Sequence, residues 1–119
     1  MVSKTKSDRR HRAKRRRKPK SWCMVYGLHA ADSVVMYVGQ TRCTLAFRLQ
    51  WHLKNAATKN ARVFVWMRER MALGEEIGII MIEPNGVWDI SEVIWIDRLR
   101  QKGVALTNMT AGGRSSPGT

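Results

Sequence analysis

The chain has 119 residues, of which 44% are hydrophobic, so it has room for one domain of ordinary composition. Its 22 Lys and Arg residues outnumber nine Asp and Glu residues, which gives a formal net charge of +13. No stretch approaches the roughly 18 apolar residues of a membrane span, and two cysteines are too few for a disulfide framework. We therefore expect a soluble, non-secreted protein of a reducing compartment, without membrane association.

The excess of positive charge lies at the N-terminus. Residues 1–20 hold 11 Lys and Arg against one Asp, which leaves a net charge of only +3 for the other 99 residues. This segment can bury almost nothing to offset the entropy of ordering it, which predicts a disordered basic arm over residues 1–21. A solubilising tail or a localisation signal is the alternative to nucleic-acid contact. The side chains expected to bind nucleic-acid phosphates are Arg9, Arg10, Arg12, Lys14, Arg15, Arg16, Arg17, Lys18 and Lys20.

The composition changes abruptly at Ser21-Trp22, where a predicted hairpin begins. Residues 22–28 and 34–38 are short, apolar and rich in β-branched or aromatic types, which predicts two strands. The linker over 29–33 is short enough for a hairpin, so the strands are expected to pair antiparallel.

Two helices are predicted after the hairpin. Gly39 ends the second strand, and Thr44 favours the start of a helix over about 45–57. Leucines recur there every four residues and predict one buried face: Leu45, Leu49 and Leu53. A second helix is expected over about 60–73, where Gly74 supplies the stop. Its apolar residues at helical spacing are Val63, Trp66, Met67 and Met71.

The last third of the chain predicts a strand, a turn and a helix. Residues 77–82 indicate a third, well-buried strand, and Pro84-Asn85-Gly86 then turns the chain. A third helix is expected over 90–102, with Asp89 or Ser91 as its cap. Residues 104–108 are expected to pack against the domain.

The element order predicts an α/β fold in which a small central antiparallel three-stranded sheet is flanked by helices, in the order ββααβα. The folded domain is expected over residues 22–113. A flexible tail is expected over residues 114–119.

Two triplets in the predicted hairpin carry a family resemblance: Met24-Val25-Tyr26 and Tyr37-Val38-Gly39. They resemble the Gly-Ile-Tyr and Tyr-Ile-Gly triplets of the GIY-YIG nuclease superfamily, with Met24 where the family prefers glycine. The resemblance spans about residues 22–113. Further along the chain, four residues fit family positions in the first helix, in a later helix and in the closing segment: Arg48, His52, Glu92 and Asn108.

The resemblance implies a metal-dependent endonuclease that hydrolyses phosphodiester bonds in DNA. It implies Mg²⁺ as cofactor, replaceable by Mn²⁺ and held by Glu92. It also implies a phage or mobile-element gene, or a role in DNA repair or recombination. The expected location is the cytoplasm of a bacterial or phage-infected cell, and association with the nucleoid is one option. RNA as a partner and the oligomeric state stay open. The implied catalytic residues are Tyr26, Tyr37, Arg48, His52 and Glu92, with Gly39 and Asn108 in support.

These residue types also suit the reaction on chemical grounds. Phosphodiester hydrolysis needs an activated water, and it needs groups that stabilise charge on the phosphoryl and leaving oxygens. Arg48 suits a planar phosphate fork, and His52, four residues further along, is expected on the same side of the helix. Tyr26 is the expected general base if cationic neighbours lower the phenol pKa from about 10. Otherwise metal-bound water is the effective base and Tyr26 orients it.

Each residue taken alone also has an ordinary structural interpretation. A glutamate suits the first turn of any helix, the two tyrosines suit strands, and Arg48 and His52 suit a solvated helix face. A noncatalytic nucleic-acid-binding protein on the same scaffold is the alternative function. A packaging or ribosome-associated protein is the third. Two histidines and two cysteines offer zinc ligands, but their separations match no compact zinc module: Cys23, His29, Cys43 and His52.

Overall fold

The computed structural model describes residues 18–108, which form a three-stranded antiparallel sheet and three helices. The predicted ββααβα order and the flanked central sheet are confirmed. None of the described helices is long and apolar enough to cross a membrane. The strands are β1 (Trp22–His29), β2 (Val35–Thr41) and β3 (Gly78–Val87), and the helices are α1 (Leu45–Ala56), α2 (Arg62–Ala72) and α3 (Ser91–Gln101).

Two predicted segments lie largely or wholly outside the described residues. Of the predicted basic arm, only residues 18–21 are described. The predicted tail over 114–119 lies outside, as do residues 109–113 of the predicted domain. The residues among 1–17 that are predicted to bind nucleic acid therefore lie outside the described residues, namely Arg9, Arg10, Arg12, Lys14, Arg15, Arg16 and Arg17.

The central strand β1 divides the core into two halves. The sheet order is β2-β1-β3, and both pairings are antiparallel. Side chains of successive strand residues point to opposite faces, so Tyr26 and Leu28 pack towards α1 and α2, whereas Cys23 and Val25 pack towards α3. All four are fully buried, because helices cover both faces of this strand. The tyrosine of the first triplet is thereby directed at α1.

The third strand differs from its prediction in length and in burial. It continues to Val87 through the Pro84-Asn85-Gly86 segment, which was wrongly predicted to be the turn. The pairing with β1 slips between Cys23 and Val25, so an extra residue of β3 is taken up there and the proline is tolerated. The strand lies at the sheet edge, and Ile80 and Met81 are exposed. The prediction of a well-buried strand was therefore wrong.

The helix starts and faces are partly as predicted. Thr44 caps α1 through its hydroxyl, which accepts a hydrogen bond from the backbone N–H of Phe47 at 3.1 Å. The predicted side-chain cap of α3 is absent: the Ser91 hydroxyl accepts from the backbone N–H of Val87. In α2, Phe64 is buried with Val63 and Met67, whereas Met71 is exposed.

The closing segment packs against β2, as predicted. Leu106 is buried in the same core cluster as Val38 of β2 and Ile96 of α3. The side-chain amide of Asn108 donates to the carbonyl of Val38 at 2.9 Å, and its carbonyl oxygen accepts from the N–H of Val38 at 3.0 Å. Asn108 therefore holds the backbone of β2 immediately before Gly39.

Candidate active site

Three of the predicted catalytic residues form one hydrogen-bonded cluster around the hydroxyl of Tyr26. The Tyr26 Oη lies 2.8 Å from Nε2 of His52 and accepts a hydrogen bond from Nε of Arg48 at 3.1 Å. Tyr26 is fully buried in β1, and His52 is 1% exposed. Arg48 and His52 lie on the same side of α1, as their spacing predicts.

Gly39 makes room for the Tyr26 ring. The two residues are direct partners between β1 and β2. A Cβ atom on residue 39 would lie 2.4 Å from Tyr26 Oη and 2.5 Å from the adjacent ring carbon, far inside normal contact distance. The supporting role predicted for Gly39 thus has a steric basis.

Aromatic rings surround the imidazole of His52. The Tyr37 ring centroid lies 5.3 Å from that of His52 and 6.3 Å from that of Tyr26. Trp51 meets His52 edge-on at 5.0 Å, and Phe64 lies 6.0 Å away. Neither Trp51 nor Phe64 was predicted to belong to the site. The position of Trp51, next to His52 and three residues after Arg48, was the available signal.

Burial keeps both members of the Tyr26–His52 pair neutral at pH 7. It lowers the pKa of His52 to about 4, and the charge of Arg48 acts in the same direction. Burial also raises the pKa of Tyr26 above its ordinary value, although the hydrogen bond and charge of Arg48 oppose this. The lowered phenol pKa on which a tyrosinate base depends is therefore not produced by Arg48. Nδ1 of His52 is buried without a hydrogen-bond partner among residues 18–108.

Glu92 lies in the first turn of α3 and is 6% exposed. Burial and the nearby charge of Asp89 raise its pKa to about 7, against the opposing effect of Arg48. Its charge in turn contributes to the raised pKa of Tyr26 and of Tyr37, so Glu92 acts electrostatically on the same cluster. Among the described residues it has no salt-bridge partner.

The site offers one carboxylate ligand, Glu92, and this suits a magnesium ion. Residues 18–108 contain no group of three or more His, Cys, Asp or Glu side chains that could hold a metal, so the zinc set considered from the sequence is not assembled there. Mg²⁺ is commonly held by one or two carboxylates, with water and substrate phosphate oxygens completing its coordination. A buried carboxylate without a salt-bridge partner in the described region, such as Glu92, is suited to that role.

The described end of the predicted arm contacts the domain. The Lys18 ammonium lies 5.1 Å from the Trp22 ring centroid, and the carbonyl of Lys20 accepts a hydrogen bond from the Arg42 guanidinium. The carbonyl of Ser21 accepts from the N–H of Trp88 at 2.5 Å. Lys18 and Lys20 are both exposed. They precede the N-terminal end of β1, where Met24 pairs with Thr41 of β2.

The structure thus brings Tyr26, Tyr37, Arg48 and His52 together. Glu92 acts on Tyr26 through its charge, and Asn108 supports the β2 backbone. Comparisons of the chain with protein-family models, with curated proteins and with solved structures gave no match.

Proposed function

We propose that this chain is a metal-dependent endonuclease that hydrolyses phosphodiester bonds in DNA through a GIY-YIG-like site, and that it acts in the cytoplasm. The observation that carries the proposal is the Tyr26 hydroxyl, held between Arg48 and His52, with the buried carboxylate of Glu92 near enough for its charge to act on the phenol. Both partners are side-chain types that a phosphodiester site can use, an arginine to bind phosphate and a histidine to accept a proton.

Arg48 binds the scissile phosphate. Its Nε is used by Tyr26, and its guanidinium lies 4.2 Å from the Trp51 ring centroid, so two contacts fix its orientation. Its terminal amino groups remain for phosphoryl oxygens, which a planar guanidinium binds in pairs. These donors stabilise the negative charge that develops during hydrolysis.

Tyr26 and His52 take the proton of the attacking water in a relay. Because the phenol of Tyr26 is neutral, its oxygen accepts the water proton only as its own proton passes to Nε2 of His52, 2.8 Å away. Neutral His52 with its proton on Nδ1 has Nε2 open for that transfer. The alternative role of Tyr26, orienting a water that is activated elsewhere, needs the same hydrogen bonds.

Glu92 is the residue that would hold Mg²⁺ or Mn²⁺. When bound, the metal supplies Lewis-acid stabilisation of the leaving oxygen. Holding a cation requires the carboxylate to be ionised, and the pKa of about 7 places that ionisation near neutral pH.

Nicking of supercoiled plasmid tests the proposal. Wild-type protein with Mg²⁺ is compared with wild type in EDTA, with Glu92→Gln and with Glu69→Gln, which removes an exposed carboxylate of α2. Nicking should require both the metal and Glu92 and should survive Glu69→Gln. Equal nicking by Glu92→Gln would overturn the mechanism. Tight, salt-sensitive binding without cleavage of plasmid, single-stranded or branched DNA would favour the noncatalytic nucleic-acid-binding protein.

A further inference from the structure

An exposed aromatic side chain lies beside the phosphate-binding arginine and has no role in the cluster described above. Phe47 precedes Arg48 on α1 and is 60% exposed. It belongs to neither of the two hydrophobic clusters. Trp51 is one turn further along the same face and is 37% exposed, although it also contacts Arg48 and His52.

The charge around this aromatic pair indicates what would cover it. Helix α1 contains no acidic residue, and it carries Arg48 and Lys54. An aromatic surface on a basic helix is complementary to a strand that offers both phosphates and the apolar face of a base. An apolar protein partner would match the rings but not the surrounding positive charge.

We propose that Phe47, with Trp51 behind it, stacks on an unpaired nucleobase next to the phosphate bound by Arg48. The substrate class is therefore DNA in which a nucleotide beside the cut is unpaired. Paired bases inside a duplex are stacked on both faces and offer no surface to Phe47, whereas an unpaired base can leave the stack. The inference rests on the proposed function, since it places the base relative to the scissile phosphate.

Binding in EDTA tests the stacking independently of cleavage. The probes are two DNA duplexes that differ only by one unpaired adenine, and affinity is measured by fluorescence anisotropy. Wild-type protein should bind the duplex with the unpaired base about tenfold more tightly. Phe47→Ala should abolish that preference and leave affinity for the perfect duplex within about twofold, whereas Phe47→Trp should keep the preference. Leu73→Ala removes another exposed apolar side chain, at the residue that follows α2, and should also keep it.

Cleavage of the same probes with Mg²⁺ separates the two proposals. If both duplexes are cleaved and are bound with equal affinity, the stacking role is overturned and the proposed nuclease activity is supported. A Phe47-dependent preference without cleavage of either probe would overturn the nuclease and leave the stacking surface standing. A wild-type dimer that dissociates on Phe47→Ala, with no change in base preference, would assign Phe47 to a protein interface and overturn the inference.

Discussion

Gly39 and Tyr26 face each other across two strands so closely that a methyl group on residue 39 would overlap the tyrosine hydroxyl, with 2.4 Å between the Cβ and Oη. Tyr26 is fully buried, so its ring has little room to retreat. We expect Gly39→Ala to displace the hydroxyl from Arg48 and His52. The cleavage rate should fall about 100-fold or more, and the free energy of unfolding should fall by about 1–3 kcal/mol because of overpacking.

Gly78→Ala is the matched control for this prediction. A Cβ there would lie 2.5 Å from the ring of His29, a similar clash that involves no residue of the site. Stability should fall in this variant too, but cleavage per folded molecule should stay near the wild-type value. Equal cleavage losses in the two alanine variants would contradict a specific role of Gly39.

Removal of one hydroxyl distinguishes the two tyrosines. Tyr26→Phe deletes the group between Arg48 and His52, so we expect cleavage to fall by about 100-fold or more. It also leaves Nε2 of His52 buried without its partner, which should cost about 1–3 kcal/mol of unfolding free energy. Tyr37 contacts His52 through its ring, so Tyr37→Phe should cost about tenfold or less in rate.

Single-turnover cleavage at saturating Mg²⁺, with chemical denaturation of each protein, measures both effects. An equally large rate loss in both phenylalanine variants would show that the Tyr26 hydroxyl has no special place in the reaction.

The sequence predicts the core of this fold because its signals are local. The apolar, β-branched and aromatic composition of β1, the Thr44 cap and the four-residue spacing of Arg48 and His52 are each visible within a turn or a strand. The errors lie where distant residues decide. Pro84 suggests a turn, but a bulge opposite Cys23 and Val25 lets β3 continue.

The site shows the same division between local and distant signals. A family resemblance proposes Tyr26, Arg48 and Glu92, but only the folded chain brings β1, α1 and α3 together. Burial, which raises the pKa of Tyr26, depends on the packing of α1 and α2 against β1 and has no local signal. The exposure of Phe47 is contrary to its apolar type, but its position two residues after Leu45, away from the leucine face of α1, is a local signal of that exposure.

Glu92 and His52 should give the metal-free protein opposite dependences of stability on pH. Glu92 titrates at about 7 when folded against 4.5 when unfolded, so the folded state holds an extra proton between these values and the free energy of unfolding falls as pH rises through them. His52 titrates at about 4 when folded against 6.5 when unfolded, so the free energy of unfolding falls as pH drops through that range. Each effect is worth about 3 kcal/mol, and in wild type the two largely cancel.

Single substitutions should uncover each effect. Relative to wild type, Glu92→Gln should gain up to about 3 kcal/mol of unfolding free energy between pH 4.5 and pH 7. His52→Gln should gain a similar amount as pH falls from 6.5 to 4. Urea denaturation in EDTA measures both differences, and Glu69→Gln serves as an exposed control. Differences that stay constant with pH would show that neither buried group titrates as described.

The basic N-terminal segment should contribute affinity rather than chemistry. A deletion that tests this should end at residue 17, because residues 18–21 contact the domain through Lys18, Lys20 and Ser21. Removal of residues 2–17 takes away nine of the 11 Lys and Arg residues in the first 20 and spares those contacts. If about six charges of the whole arm meet phosphates, the slope of log affinity against log salt is about −5 in the full chain, and it should become markedly shallower after the deletion.

Cleavage at saturating DNA tests the other half of this prediction. The rate per bound complex should stay within about threefold of wild type, because none of the five proposed catalytic residues lies in the deleted segment. A deletion of residues 2–21 is the informative comparison: it also removes the carbonyls that bind Arg42 and Trp88, so it should lower stability as well as affinity. An unchanged salt slope after removal of residues 2–17 would show that the folded domain, and not this segment, makes the phosphate contacts.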